Sequence, residues 1–164
     1  MNETVASGTI FIHSTMRAMC LHLEAALSHV LERPMSLRWD RQVADPALVR
    51  AEFEWSHGDP NTGMRLTQIL RSFKEVRFEV IQHPATVSEG QRWMFTPALG
   101  VHYSQIDLLG NLVLPENLIR NLIAQGGSRR DLEIGLKRAL GQAWDEELEY
   151  YRAQVVSGTQ SGIA

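Results

Sequence analysis

Along residues 8 to 82 the spacing of apolar positions switches between two residues and about 3.6, and each switch marks an element. "GTIFIHS" is a β-branched run that ends at Ser14 and Thr15, either of which suits the N-cap of a helix predicted from about Met16 to Glu32 and stopped by Pro34. "MSLRWDRQV" and "LVRAEFEWSH" both alternate, Leu37 and Trp39 against Arg38 and Asp40, then Val49, Ala51, Phe53 and Trp55 against Arg50, Glu52 and Glu54. They predict two half-buried strands joined by "ADPA". After the turn "HGDPNTG", Leu66, Ile69, Leu70 and Phe73 form one face of a second helix. "EVRFEVIQ" then alternates again.

The order β-α-β-β-α-β with short connections predicts an α+β domain with a ferredoxin-like split βαβ core and both helices on one face of the sheet. "QRWMFTPALGVHYSQIDLLGNLVL" predicts further antiparallel strands, turned at Pro97 to Gly100 and at Gly110-Asn111. Two C-terminal helices follow. Pro115 opens the first, which Gly126-Gly127 closes; Ser128 caps a long last one, with Leu132, Leu136, Leu140, Trp144, Leu148 and Tyr151 in one stripe. Residues 1–8 and 155–164 are small, polar and Gly/Ser-rich and are expected to be flexible tails around one domain, 9–154, divided into a βαββαβ core (9–83) and an extension (84–154).

Composition narrows the function classes. A chain of 164 residues is long enough to bury a core without a staple, and its single cysteine cannot form an internal disulfide. A net charge of −3 gives no basic footprint for nucleic acid or an anionic membrane. With no long apolar run and no signal-like start, a cytoplasmic location is expected. P-loop, G-x-S-x-G, H-E-x-x-H, C-x-x-C and G-x-G-x-x-G patterns are all absent. No catalytic residue, metal or cofactor is assigned.

Candidate chemistry concentrates in "FIHSTMRAMCLHLE". On a helical wheel Cys20 falls among Met16, Met19, Leu23, Leu27, Val30 and Leu31, while His22 lies on nearly the opposite side, so the C-x-H pair cannot share a proton or a metal. Cys20 is expected in the core. His13, Cys20 and His57 are the one metal set that can be assembled, and they lack ligand spacing. An anion pocket at the strand-helix junction suits the residues better: His13, Ser14, Arg17 and Glu24 there, with Thr62 and Gly63 at the start of the second helix. Ordinary capping is the commoner use of such residues.

Facing away from the two helices, Phe11, His13, Arg50, Glu52, Arg77, Glu79 and Ile81 are expected to form a mixed-charge, solvated face. An RNA-reading sheet would place aromatics where Glu52 and Glu54 stand. Phe11, Arg50, Glu52 and Ile81 on that face, with Trp144 and Glu149 on the last helix, are the candidates for contact with a partner protein.

The stretches "IFIHSTMRAMCLHLEAALSHVL", "RAEFEW", "NTGMRLTQILRSF", "RFEV", "FTPALG" and "LGQAWDEELEYYR" resemble the actinobacterial domain-of-unknown-function family numbered 3145, from about residue 8 to residue 152. Members of that family often carry Trp where this chain has Ala25, and "GTG" where it has Asn61-Thr62-Gly63. The resemblance implies a small cytoplasmic protein of no established activity, with some family genes near those of fatty-acid synthesis. The resulting expectation is a non-catalytic accessory protein whose partner is another protein, such as an enzyme or carrier of acyl metabolism, with self-association left open. The alternative is a small ligand-binding domain or enzyme, with Arg17 holding an anion and His13 or Glu24 as acid or base.

Overall fold

The computed structural model describes residues 5–86 and 88–152. It contains one seven-stranded antiparallel sheet, in the order β2-β3-β1-β4-β5-β6-β7, and five α-helices. The first four strands are β1 (Ala6–Met16), β2 (Asp40–Arg41), β3 (Leu48–His57) and β4 (Arg77–Gln82). Helix α1 (Cys20–Leu31) links β1 to β2, and α2 (Thr62–Leu70) links β3 to β4. Each helix therefore joins two strands with a third lying between them, which is the split arrangement the element order predicts. β5 (Gly90–Thr96), β6 (Gly100–Ile106) and β7 (Leu112–Val113) extend the sheet outward from β4.

The apolar members of the alternating strands all meet on one face. Ile10 and Ile12 of β1, Trp55 of β3, Phe78 and Val80 of β4, and Trp93 and Phe95 of β5 pack against Leu23 and Leu27 of α1 and Leu66 and Leu70 of α2. Each such side chain contributes roughly 1.5–3 kcal/mol by leaving water. Gly63 lets α2 reach the sheet: a Cβ there would lie 2.6 Å from the Trp93 ring.

Several boundaries differ from expectation for identifiable reasons. β1 begins at Ala6, which pairs with His57, so residues 6–8 belong to the sheet and not to a tail. Residues 155–164 lie outside the described residues. β1 also runs on to Met16, and a 3-10 turn (Arg17–Met19) precedes α1. Ser14 and Thr15 are thus fully buried strand residues, and neither caps α1. Only Asp40–Arg41 of the predicted second strand pairs with β3. The segment before it is held by α1 instead: Leu37 N and Trp39 Nε1 donate to Glu24 Oε1 at 2.8 and 2.9 Å.

Three helices, not two, complete the chain: α3 (Glu116–Ala124), α4 (Arg129–Ala139) and α5 (Gln142–Arg152). Ser128 caps α4 through a capping box with Asp131, as its position predicts. The long last helix is broken at Gly141, whose φ of 72° is left-handed. A Cβ at Gly141 would meet His102 and Met94 at 2.8 Å, so the break presses the start of α5 against the sheet. Around Glu79 the second face of the sheet is consequently covered by α5, and the solvated surface expected from its charges is confined to the side where Glu52 stands exposed.

Candidate functional site

Glu79 stands between Phe78 and Val80 on β4, so alternation turns its side chain away from the apolar core. It is nevertheless only 4% exposed. α5 lies over it, with Leu148 buried and Asp145 and Arg152 on the same helix face at i, i+3 and i+7. Glu79 Oε1 accepts from Arg152 Nε at 2.7 Å and lies 2.8 Å from His13 Nε2; Oε2 accepts from Arg92 Nη2 at 2.7 Å and Nε at 3.0 Å. Asp145 Oδ1 completes the cluster, 3.1 Å from both Arg92 Nη2 and Arg152 Nη1. Beside it, Arg77 donates to Glu147 at 3.0 Å and lies over the Tyr151 ring at 4.7 Å. Gln42, fully buried, donates to the carbonyls of His13 (2.6 Å) and Tyr151 (3.3 Å) and so ties both elements to the loop before β3.

Burial by itself would raise the pKa of Glu79. The hydrogen bond from His13 and the charges of Arg92, His13 and Arg152 outweigh burial and bring it down to about 2. A carboxylate only accepts, so the shared hydrogen sits on His13 Nε2. The Nδ1 atom has no hydrogen-bond partner of its own among the described residues.

His13 occupies the β-bulge of β1, where the register shifts against both β3 and β4. A bulge re-aims the side chain it carries. Here the imidazole lies parallel to the Phe11 ring, with centroids 6.0 Å apart, at the wall of a cavity of about 330 Å³. Phe11, His13, Arg50, Glu52, Glu79 and Arg152 line that cavity. Two of these side chains carry an atom buried without a hydrogen-bond partner among the described residues: His13 at Nδ1 and Arg50 at Nη1. Among the described residues that line it there is no hydroxyl or thiol.

The residues expected at an anion pocket are scattered. His13 is on the α5 side of the sheet, and Ser14 Oγ accepts from Arg77 at 3.4 Å. Arg17 is exposed on the 3-10 turn, and Glu24 clamps Leu37 and Trp39. At the start of α2, Thr62 Oγ donates to Asp59 O (2.7 Å) and Gly63 N to Gln82 Oε1 (3.0 Å), which occupies that terminus from within. Cys20 is buried, and burial pushes its thiol pKa up. His57 pairs with Thr62, far in the chain from His13 and Cys20. Among the described residues no three His, Cys, Asp or Glu side chains are placed to hold a metal ion.

Of the residues expected to touch a partner, Phe11, Arg50 and Glu52 come together at the cavity, with Ile81 half-buried on the same face one row away. Trp144 is used internally: its Nε1 donates to Gly100 O at 2.9 Å and its ring packs on His102 at 4.9 Å. Glu149 is exposed, 3.6 Å from Arg152. The cluster partners Arg92, Asp145 and Arg152 escape a reading of local pattern. The one sequence signal for them is the spacing of Asp145, Leu148 and Arg152, which puts two opposite charges around a buried leucine.

With this geometry in hand, the family model described as "Protein of unknown function (DUF3145)" matches residues 9–160. The chain belongs to the DUF3145 family. No curated protein and no solved structure matches it. The matched span takes in every residue of the cavity wall, so the cleft lies within the family domain. No helix of the described residues is long and apolar enough to cross a membrane.

Proposed function

We propose that this DUF3145 protein is a non-catalytic binding domain that holds a small ligand in the cleft between the sheet and α5. One observation carries the reading: His13 and Arg50 line one cavity, and each carries a buried nitrogen, Nδ1 and Nη1, with no hydrogen-bond partner among the described residues. Leaving such a group unmet costs about 1–3 kcal/mol, more where it is charged, and a group from outside the fold would offset that. The neighbouring Glu79, Arg92, Arg152 and Asp145 satisfy one another and hold the wall in place. A ligand-observed NMR screen of small polar compounds against the full chain tests this. Hits that disappear with Arg50→Gln and compete with one another are expected; hits indifferent to that change would sink the reading.

A second reading keeps the expectation of a cytoplasmic accessory protein. Its support is the α3–α4 hairpin, on which Ile119, Ile123, Ile134 and Leu140 are exposed. In that reading the hairpin docks a partner protein, and the family resemblance directs the search to acyl metabolism.

A further inference from the structure

We infer that the cleft takes a small monocarboxylate, bound through Arg50 and lying against the Phe11 ring. The inference rests on the ligand-binding reading of the cleft. The Arg50 guanidinium lines the cavity with no ion-pair or hydrogen-bond partner among the described residues, and the carboxylate buried at the wall cannot serve: Glu79 already receives His13, Arg92 and Arg152. A guanidinium is a rigid planar fork that matches a carboxylate in shape and charge. Glu52, at i+2 on β3 and therefore on the same face as Arg50, is exposed beside the opening and opposes negative charge, so a dianion is penalised more than a monocarboxylate.

The rest of the wall fits an acid with a compact body. Phe11, half-buried beside the parallel His13 ring, offers a flat apolar surface. At about 330 Å³ the cavity is at the small end of ligand clefts, which suits a single aromatic or branched acid. His13 lines the same cavity, and a hydroxyl beside the carboxylate, able to donate or to accept, would add a contact to the imidazole.

The test is a titration of the ¹⁵N-labelled full chain with benzoate, benzamide and phenyl phosphate at constant ionic strength. The amides of Phe11, Arg50 and Glu52 and the ring nitrogens of His13 report binding. Saturable shifts with benzoate are expected, weaker by about tenfold or more for the neutral amide and for the phosphate. Arg50→Gln should abolish the benzoate shifts in a protein whose spectrum stays dispersed. If that variant does not fold, Glu52→Gln decides, because removing the charge at the opening should tighten benzoate. Benzamide or phenyl phosphate binding as tightly as benzoate would overturn the carboxylate assignment while leaving the cleft a ligand site. Silence from all three, with hits in the broader screen, would overturn it too; silence in both experiments would remove the binding reading itself.

Discussion

Phe78 and Glu79 are neighbours on β4, equally hidden from water, and opposite in what hides them. Phe78 is fully buried, stacked on Phe95 at 5.1 Å within a core of aliphatic side chains from α1 and α2. Glu79 is buried by charges: His13 and Arg92 from the strands and Arg152 from α5. On the first face cohesion follows volume and shape, so a substitution matters through the space it leaves. On the second it follows valence and hydrogen-bond count, because every partner is itself partly desolvated. One sheet thus has a side that tolerates repacking and a side that tolerates change only group by group.

The sharpest way to break this contrast is to truncate each neighbour in turn. Phe78→Ala and Glu79→Ala should each cost about 3–5 kcal/mol in urea unfolding, the first by leaving a cavity and the second by leaving guanidinium groups unpaired. The isosteric changes should then separate them. Phe78→Leu is expected to recover most of its loss, whereas Glu79→Gln keeps the shape, removes the charge and should recover little.

Acid should act on one face alone. The pKa of Glu79 is lowered on folding from 4.5 to about 2, so its contribution is complete above pH 4.5 and drains away as pH falls toward 2. The shift corresponds to about 3 kcal/mol. Urea unfolding at intervals from pH 7 to pH 2 should show this loss in the parent chain and not in Glu79→Gln. An equal acid loss in both would assign it to other carboxylates and end the contrast.

The smallest effect is expected far from both faces. Ile123 is 63% exposed on α3, and Ile123→Ser should change stability by no more than about 0.5 kcal/mol. A larger cost would show that the α3–α4 hairpin is tied to the sheet more closely than its exposure implies.

The apolar face was legible because its signal is local. Ile10 and Ile12, Ala51, Phe53 and Trp55, and Phe78 and Val80 each announce a strand within a few residues, and Leu66 and Leu70 do the same for α2. The ionic face is not, because the partners of Glu79 stand 13 to 73 residues from it along the chain: Arg92 at 13, His13 at 66 and Arg152 at 73. Read locally, a charge at an outward strand position looks solvated. Phe11, His13, Arg50 and Glu52 stand out as candidates in the sequence, but local pattern points to an anion site at the junction with α1, whereas alternation puts the His13 imidazole beside Phe11 on the opposite face. Two further misreadings have the same origin. Glu24 reaches Trp39 across fifteen positions and keeps that segment out of the sheet, and Gly141 breaks an unbroken apolar stripe.

The placement of α5 also orders events during synthesis. Residues 6–82 can close their apolar face as soon as β4 emerges, but Glu79 waits for Arg92 and then for Arg152. At ribosomal rates of about 5–20 residues per second, that face stands bare for several seconds. A nascent sheet whose waiting side carried leucines would be sticky for the whole of that interval; one carrying Arg50, Glu52, Arg77 and Glu79 stays hydrated until its helical cover arrives.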